Sequence, residues 1–256
     1  MQIRAGGQGP YKLEGRVAVV TGGSGGIGAA TAKRLAEAGA RVVVGYNNGR
    51  DRAEALLQQL AGDGHLALRI PMEDSAAIAA AAAAVQDKFN RTDVLINSAG
   101  VTRAVAHADL DGMDDATFDR ILTTNVRGPF STIRSFAKLL RASGDSVVIN
   151  LSSISGTTGL GSSIAYCASK AALDTMGLSL ARVLGPEVRV LTVSPAAVAT
   201  DFVPGRGREG VEKQAATTPL KIVAEADDVA LAIVAGITHL RLTTGSTIVV
   251  DSGRHL

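Results

Sequence analysis

Residues 16–28 read RVAVVTGGSGGIG, an apolar run that passes directly into a glycine-rich turn. The β-branched start predicts a buried strand, and a helix is predicted from Ile27 to Ala38, ended by Gly39. Glycines let the backbone turn tightly and approach a pyrophosphate, while the helix N-terminus offers unpaired N–H groups and a positive dipole. Because strand, turn and helix come in the required order, the stretch predicts a dinucleotide site rather than a flexible turn.

The rest of the chain continues this alternation. Strands are predicted at 41–44, 65–70, 94–97, 146–151, 188–193 and 247–250, and helices at about 51–60, 76–85, 115–141 and 165–184. Several strands are apolar throughout, which is typical of a parallel sheet covered on both faces. The pattern predicts an α/β fold with a doubly wound, mainly parallel seven-stranded sheet and helices on both faces. Gly22, Asn97, Ser153 and Pro195 then lie along the sheet edge where ligands bind.

The domain organisation predicted from composition is simple. Residues 1–11 are glycine-rich and are interpreted as a flexible N-terminal tail, and residues 12–256 as one dinucleotide-binding oxidoreductase domain. Residues 202–219 hold three glycines and two prolines, and they leave the sheet from its functional edge. We expect this loop to be a substrate lid; a disordered surface excursion is the alternative.

Composition excludes several classes of protein. Lys and Arg number 26 against 24 Asp and Glu, and aromatic residues make up 3%, which argues against nucleic-acid binding. No apolar run is long enough to span a membrane, and residues 1–10 lack the apolar segment of a signal peptide, so a cytoplasmic protein is expected. The single Cys167 excludes an intrachain disulfide and is interpreted as an inert packing residue. The four histidines are too dispersed for a metal site, so none is expected.

The candidate chemistry lies in Tyr166-Cys-Ala-Ser-Lys170, with Ser153 thirteen residues before the tyrosine. On a helix, positions i and i+4 share one face, so the Lys170 ammonium should lie near the Tyr166 phenol. A nearby positive charge lowers the pKa of a phenol, which would make Tyr166 usable as a proton donor and acceptor. The pair alone is most often an accident of helical spacing. Together with Ser153, it suits the interconversion of a ketone and an alcohol.

The end of the second strand bears on the cofactor. An acidic residue there would bind the adenosine ribose hydroxyls and exclude a 2′-phosphate. The sequence instead continues through Tyr46 and Asn47 to Arg50 with no carboxylate before Asp51, and Arg50 or Arg52 could reach a phosphate. NADP(H) is therefore favoured over NAD(H), although Gly25 lacks the basic side chain that would strengthen the preference.

At this point the chain resembles the short-chain dehydrogenase/reductases, from about Lys12 to Gly253. The resemblance rests on TGxxxGxG at 21–28, NSAG at 97–100, Asn125 in the long helix, the Ser153, Tyr166 and Lys170 spacing, and Ser194-Pro195 followed by Thr200. It implies a Rossmann-like fold and catalytic roles for Asn125, Ser153, Tyr166 and Lys170. The cofactor-binding residues it implies are Gly22, Ser24, Gly25, Gly26, Ile27, Gly28, Tyr46, Asn47, Arg50, Asn97, Ala99, Gly100, Tyr166, Lys170, Pro195, Ala196, Val198 and Thr200.

The resemblance also implies a mechanism. Ser153 would bind the substrate carbonyl, Tyr166 would protonate it, Lys170 would lower the pKa of Tyr166 and bind the nicotinamide ribose, and Asn125 would hold a water that links Lys170 to solvent. Ala196 departs from the family pattern, which usually has glycine there. If that position requires a positive φ, the alanine would be strained.

The substrate stays open at this point. A 3-oxoacyl thioester is one candidate, and a polyol, sugar or other secondary alcohol is another. A dinucleotide-binding regulatory protein without catalysis is the alternative from a different class, although all four catalytic residues are retained. The resemblance further implies a homo-oligomer, either a tetramer or a dimer.

Overall fold

The computed structural model describes residues 10–256 of the 256-residue chain. Most of the tail expected at residues 1–11 lies outside the described residues, but the prediction is wrong for Tyr11, whose side chain is buried. Its hydroxyl donates to the Asp145 carbonyl over 2.7 Å, and its backbone N–H donates to the Thr238 carbonyl over 2.7 Å. The folded domain therefore begins before residue 12.

A seven-stranded sheet forms the centre of the structure, in the order β3-β2-β1-β4-β5-β6-β7, with each neighbouring pair parallel. The doubly wound parallel sheet predicted from the sequence is thus confirmed. After β3 the chain returns to the centre of the sheet, so β1 and β4 are neighbours from which the two halves of the sheet extend in opposite directions. Ligands bind beside such a switch point. The strands are β1 Val17–Thr21, β2 Arg41–Tyr46, β3 Leu66–Arg69, β4 Val94–Asn97, β5 Ser146–Leu151, β6 Val188–Pro195 and β7 Ser246–Val250.

Helices cover both faces of this sheet, because alternate strand residues enter opposite cores. Val20 faces a core with Leu35 and Ile233, whereas Val19 faces one with Ile78 and Phe136. The helices are α1 Gly26–Glu37, α2 Arg50–Leu57, α3 Ser75–Phe89, α4 Asp115–Leu122, α5 Gly128–Ser143, α6 Ser155–Thr158, α7 Ile164–Leu184, α8 Gly207–Ala215 and α9 Ala226–Thr238.

Two predicted elements differ from the structure. The single helix expected at 115–141 is divided by a π-helical turn, Thr123–Arg127, which places Asn125 on its buried side. Such turns are frequent at functional sites. The loop expected at 202–219 contains α8, an amphipathic helix that buries Val211 and Ala215. Local glycines and prolines predicted a loop, but the burial of this apolar face stabilises a helix.

Two features are absent from residues 10–256. None of the helices there is long and apolar enough to cross a membrane. Nor do those residues contain a group of three or more His, Cys, Asp or Glu that could hold a metal ion.

Candidate active site

The residues predicted to bind the cofactor or to act in catalysis follow the carboxyl ends of the strands. The glycine turn follows β1, Tyr46 and Asn47 end or follow β2, and Ala99 and Gly100 follow β4. Ser153 follows β5, while Ala196, Val198 and Thr200 follow β6. Tyr166 and Lys170 come from α7, and Asn125 comes from the π turn. The sheet therefore brings most of the predicted set to one edge.

The glycine turn is built for close approach of backbone. Gly22 has a φ of +64°, and a Cβ there would lie 2.8 Å from the Cα of Ala99. A Cβ on Gly28 would collide with the Gly22 carbonyl oxygen. Gly25, in contrast, faces open space, and it caps α1 without any side-chain hydrogen bond. The first N–H groups of α1 are thus free of a side-chain cap beside an open surface, which fits a pyrophosphate.

Thr21 and Asn97 join this turn to the neighbouring strands. The Thr21 hydroxyl accepts the Ala99 N–H over 3.2 Å and donates to the Ile96 carbonyl over 3.3 Å. The Asn97 amide donates to Asn150 Oδ1 over 2.9 Å. These buried bonds fix the floor on which a dinucleotide would lie.

The end of β6 and the segment after it lie beside the glycine turn and the end of β5. The Pro195 carbonyl accepts the Ile154 N–H over 3.1 Å, and the methyl carbon of Thr200 lies 3.5 Å from where a Cβ on Gly26 would be. Ala196 donates its N–H to the Val250 carbonyl over 3.1 Å and does not have a positive φ. The strain considered for this alanine is therefore absent.

Ser153 and Tyr166 meet at the end of β5. Ser153 Oγ lies 3.1 Å from Ser155 Oγ and accepts the Ser155 N–H over 3.2 Å. Burial raises the pKa of the Tyr166 phenol, and the Ser153 hydroxyl opposes that rise. Tyr166 is held at the start of α7, where Ser163 caps the helix by accepting the Tyr166 N–H over 3.3 Å.

Lys170 and Asn125 meet beneath Gly100. Lys170 Nζ donates to the Leu151 carbonyl over 2.7 Å and lies 5.5 Å from the centroid of the Tyr166 ring. Asn125 Oδ1 accepts the Val101 N–H over 2.8 Å, while its amide donates to the Val101 carbonyl over 2.9 Å. That amide also donates to Ser169 on α7 over 3.0 Å. Asn125 therefore clamps the segment after β4 against the helix that carries Tyr166.

The electrostatics differ from the expectation for Tyr166. Burial raises the pKa of Tyr166 to about 12, and the opposing contributions come from Ser153 and Arg206 rather than from Lys170. Burial lowers the pKa of Lys170 to about 8, against the attraction of Asp174. Desolvation disfavours the charged form of each group. The predicted lowering of the Tyr166 pKa by Lys170 is thus wrong for this structure.

Two residues near the site were not predicted individually. Phe202 packs its ring against Tyr166, with 5.8 Å between centroids, and Arg206 acts on Tyr166 through its charge. Both belong to the segment expected to be a lid, but only the fold brings them to the tyrosine. One sequence signal does mark Arg206: the position four residues later is Gly210, whereas Arg208 is followed at that spacing by Glu212.

A cleft of about 360 Å³ lies beside Gly100 and Phe202 and is a candidate for the substrate. Its other lining residues are Val101, Thr102, Arg103, Thr117, Arg120 and Ile121. A second cavity, of about 20 Å³ beneath α8, has room for little more than a water molecule. The larger cleft adjoins the candidate catalytic groups, because a Cβ on Gly100 would lie 3.3 Å from Asn125 Oδ1 and 3.9 Å from Lys170 Nζ.

The arginines after β2 have different surroundings. Arg50 Nε donates to Glu54 Oε1 over 2.8 Å, so its charge is paired. A Cβ on Gly49 would lie 2.8 Å from Arg52 Nη2 and 3.2 Å from Ser24 Oγ. The Arg52 guanidinium therefore lies beside the glycine turn, and it makes no ion pair with any described residue.

A glycine-rich turn at the switch point with a Ser, Tyr and Lys cluster beside it is typical of a dinucleotide-dependent oxidoreductase. The chain belongs to the short-chain dehydrogenase/reductase family: the family described as short chain dehydrogenase matches residues 16–209. It is 38% identical over 195 residues to D-threitol dehydrogenase of Mycolicibacterium smegmatis, covering 75% of this chain and 74% of that one. It is 30% identical to a 3-oxoacyl-[acyl-carrier-protein] reductase of Staphylococcus aureus, covering 93% and 98%.

A solved structure agrees with this assignment. A short-chain dehydrogenase from Burkholderia cenocepacia in complex with NADP superposes with a TM-score of 0.86 at 31% identity, covering 96% of this chain and 100% of that one. The protein is therefore an NAD(P)-dependent oxidoreductase that acts on ketones or secondary alcohols. The relatives' names differ in substrate, so they do not define one for this chain.

Proposed function

We propose that the protein is an NADP(H)-preferring enzyme that reduces a ketone to a secondary alcohol, or catalyses the reverse reaction. The observation that carries the proposal is the convergence of the Ser153 and Tyr166 hydroxyls, with Lys170 Nζ 5.5 Å from the Tyr166 ring. A hydroxyl pair above an ammonium can bind a carbonyl oxygen and transfer a proton to it. The glycine turn is compatible with a dinucleotide at the same edge.

The chain's own residues would act in the following way. A bound nicotinamide cofactor would supply or accept the hydride. Ser153 Oγ would donate a hydrogen bond to the substrate oxygen, and Tyr166 would give that oxygen its proton. Lys170, whose Nζ lies 5.5 Å from the Tyr166 ring, would hold the nicotinamide ribose. Asn125 would keep the Val101 backbone and α7 in register; the water link through Asn125 stays a prediction.

Tyr166→Phe tests this assignment, because it removes the proton donor and leaves the ring. Turnover, followed by loss of NADPH absorbance with a broad panel of ketones, should fall about 100- to 10,000-fold, the usual contribution of a general acid. NADPH affinity should change by less than about threefold. The neighbouring Cys167→Ala is the matched control and should keep its turnover.

Two results would contradict the proposal. Near wild-type turnover in Tyr166→Phe would remove the tyrosine from the reaction. Tight dinucleotide binding by the wild type, with no turnover across the whole panel, would instead favour a regulatory binding protein.

The NADP(H) preference rests on Arg52 rather than on the paired Arg50. The Arg52 guanidinium lies beside Ser24 in the glycine turn, where it could bind a 2′-phosphate. Arg52→Gln should weaken NADPH binding about tenfold or more and leave NADH binding within about twofold, since only the phosphate contact is lost. Arg50→Gln is the matched control. Equal losses for both cofactors would refute this role, as would an effect confined to Arg50→Gln.

Two substrate classes have support among the relatives. Reduction of a 3-oxoacyl group is favoured by the relative named a 3-oxoacyl reductase, which the chain covers almost completely. Oxidation of a polyol is favoured by the relative named D-threitol dehydrogenase. Parallel assays with acetoacetyl thioesters and with sugar alcohols would separate the two classes.

We also infer that the protein forms a homo-oligomer. Leu178 and Val183 on α7 are 51% and 63% exposed, which is consistent with burial against a second copy. Light scattering in solution would distinguish a tetramer or dimer from a monomer. A cytoplasmic location stays a prediction.

A further inference from the structure

Arg206 stands just before α8, inside the segment that packs over Tyr166. Its side chain is half-buried, and Nη2 donates to the Val198 carbonyl over 3.2 Å. That carbonyl already accepts the Thr200 N–H over 2.8 Å. The Nε atom of Arg206 is enclosed by protein without any acceptor among the described residues. Enclosing a donor in this way is costly, and native structures seldom do so without a reason.

Both cationic side chains of α8 itself form ion pairs with carboxylates. Arg208 pairs with Glu212 and Glu225, and Lys213 pairs with Glu209. Arg206 forms no ion pair with any residue that the structure describes. One helical turn after it stands a glycine, Gly210, where a Cβ would come within 2.9 Å of Arg206 Cγ. Because Gly210 has no side chain, the aliphatic part of Arg206 fits beside it. No carboxylate among the described residues neutralises the Arg206 guanidinium.

The unpaired charge of Arg206 also acts on Tyr166. Burial raises the pKa of Tyr166 and lowers the pKa of Arg206, and the charge of each group opposes the shift of the other. Phe202, in the same segment, packs against the Tyr166 ring. A substrate oriented for proton transfer from Tyr166 would therefore also lie in the field of Arg206.

We propose that Arg206 binds a carboxylate on the substrate, placed a few bonds from the carbonyl that Tyr166 protonates. The preferred substrate would then be an oxo acid or the corresponding hydroxy acid. A guanidinium offers its donors in a planar fork that matches the two oxygens of a carboxylate. This inference rests on the proposed function, and it narrows the substrate class of the same site.

The experiment compares ketones that differ only in this charge. Acetoacetate and levulinate are each assayed beside their methyl esters, with NADPH and the full-length enzyme. The wild type should prefer each acid by about tenfold or more in kcat/KM. Arg206→Met should lower the acid-to-ester ratio about 10- to 100-fold, the range for hydrogen bonds to charged groups. Arg206→Lys should retain part of the preference, and Arg208→Met should retain all of it.

The ratio isolates recognition of the carboxylate, because a change in the Tyr166 pKa affects acid and ester alike. An equal fall for acid and ester in Arg206→Met would overturn the proposal. So would weakened NADPH binding with an unchanged ratio, which would assign Arg206 to the cofactor. Turnover of neutral ketones without any preference for acids would overturn it while leaving the proposed function intact. Absence of turnover with every ketone would refute the proposed function itself.

Discussion

Replacing Lys170 with methionine should stabilise the protein near neutral pH while removing its activity. Lys170 is 5% exposed, and burial lowers its pKa from 10.5 to about 8. This value already includes the attraction of Asp174. A difference of that size corresponds to about 3 kcal/mol of destabilisation when the ammonium is charged in both the folded and the unfolded protein.

Methionine has a similar shape but no charge, so it removes this cost. It also removes the 2.7 Å hydrogen bond to the Leu151 carbonyl, which contributes about 1 kcal/mol. The free energy of unfolding should therefore rise by about 2 kcal/mol at pH 7. Turnover should be lost, because the ammonium proposed to hold the nicotinamide ribose is gone.

The sign of the effect depends on pH in a defined window. Because the folded-state pKa of Lys170 lies below its unfolded-state value, the destabilisation is complete below pH 8 and disappears as the pH rises to 10.5. The advantage of Lys170→Met should therefore shrink from about 2 kcal/mol at pH 7 to roughly zero at pH 10.

Urea unfolding at pH 7 and pH 10 measures both values. Lys138→Met, which removes an exposed lysine from α5, should change the free energy of unfolding by less than about 0.5 kcal/mol at either pH. A less stable Lys170→Met protein at pH 7 would refute the reasoning. The same would follow from a difference that does not change between the two pH values.

The remaining predictions concern the cofactor turn and the environment of Lys170. Gly28→Ala should weaken dinucleotide binding by about tenfold or more, because the new methyl group displaces the backbone of the turn. Gly185→Ala, whose Cβ would make only an ordinary contact with the Ala181 carbonyl at the end of α7, is the control for titrations by fluorescence; equal effects of both changes would contradict the geometry. Asp174→Asn should lower the pKa of Lys170 further, since it removes an attractive charge. The alkaline limb of the pH–turnover profile should move to lower pH, whereas Asp87→Asn on α3 should leave it in place; an alkaline limb that stays in place in Asp174→Asn would show that Lys170 does not set it.

Much of the fold was predictable because its signals are local. Strand β5 was predicted with its observed limits, Ser146–Leu151, since apolar β-branched residues and flanking turns define it. Asp74 precedes the alanine-rich helix and is a typical N-cap residue, and its carboxylate accepts the N–H groups of Ala76 and Ala77. Each of these features depends on residues within a few positions of one another. The parallel direction of the strands followed from the alternation of strands and helices and from the right-handed crossovers that join them.

Other features could not be predicted, since they depend on distant contacts. Tyr11 was assigned to a flexible tail, yet it is anchored by the carbonyls of Asp145 and Thr238. The segment of helix α8 was expected to be a loop because of its glycines and charges. Its apolar face stabilises a helix only because the fold buries that face. The ion pair of Arg50 with Glu54 is the exception, because its i,i+4 spacing is visible in the sequence and distinguishes Arg50 from Arg52.

The sequence by itself determined the class of fold and the family, and it indicated the candidate catalytic groups, because spacing along a helix and glycine positions in a turn are local features of the sequence. The tertiary structure alone decided the electrostatic environment of these groups. Burial raises the pKa of Tyr166 and lowers that of Lys170, and the cation that acts on the phenol is Arg206 from a distant segment. Desolvation depends on every element packed around a group, so no local pattern specifies it.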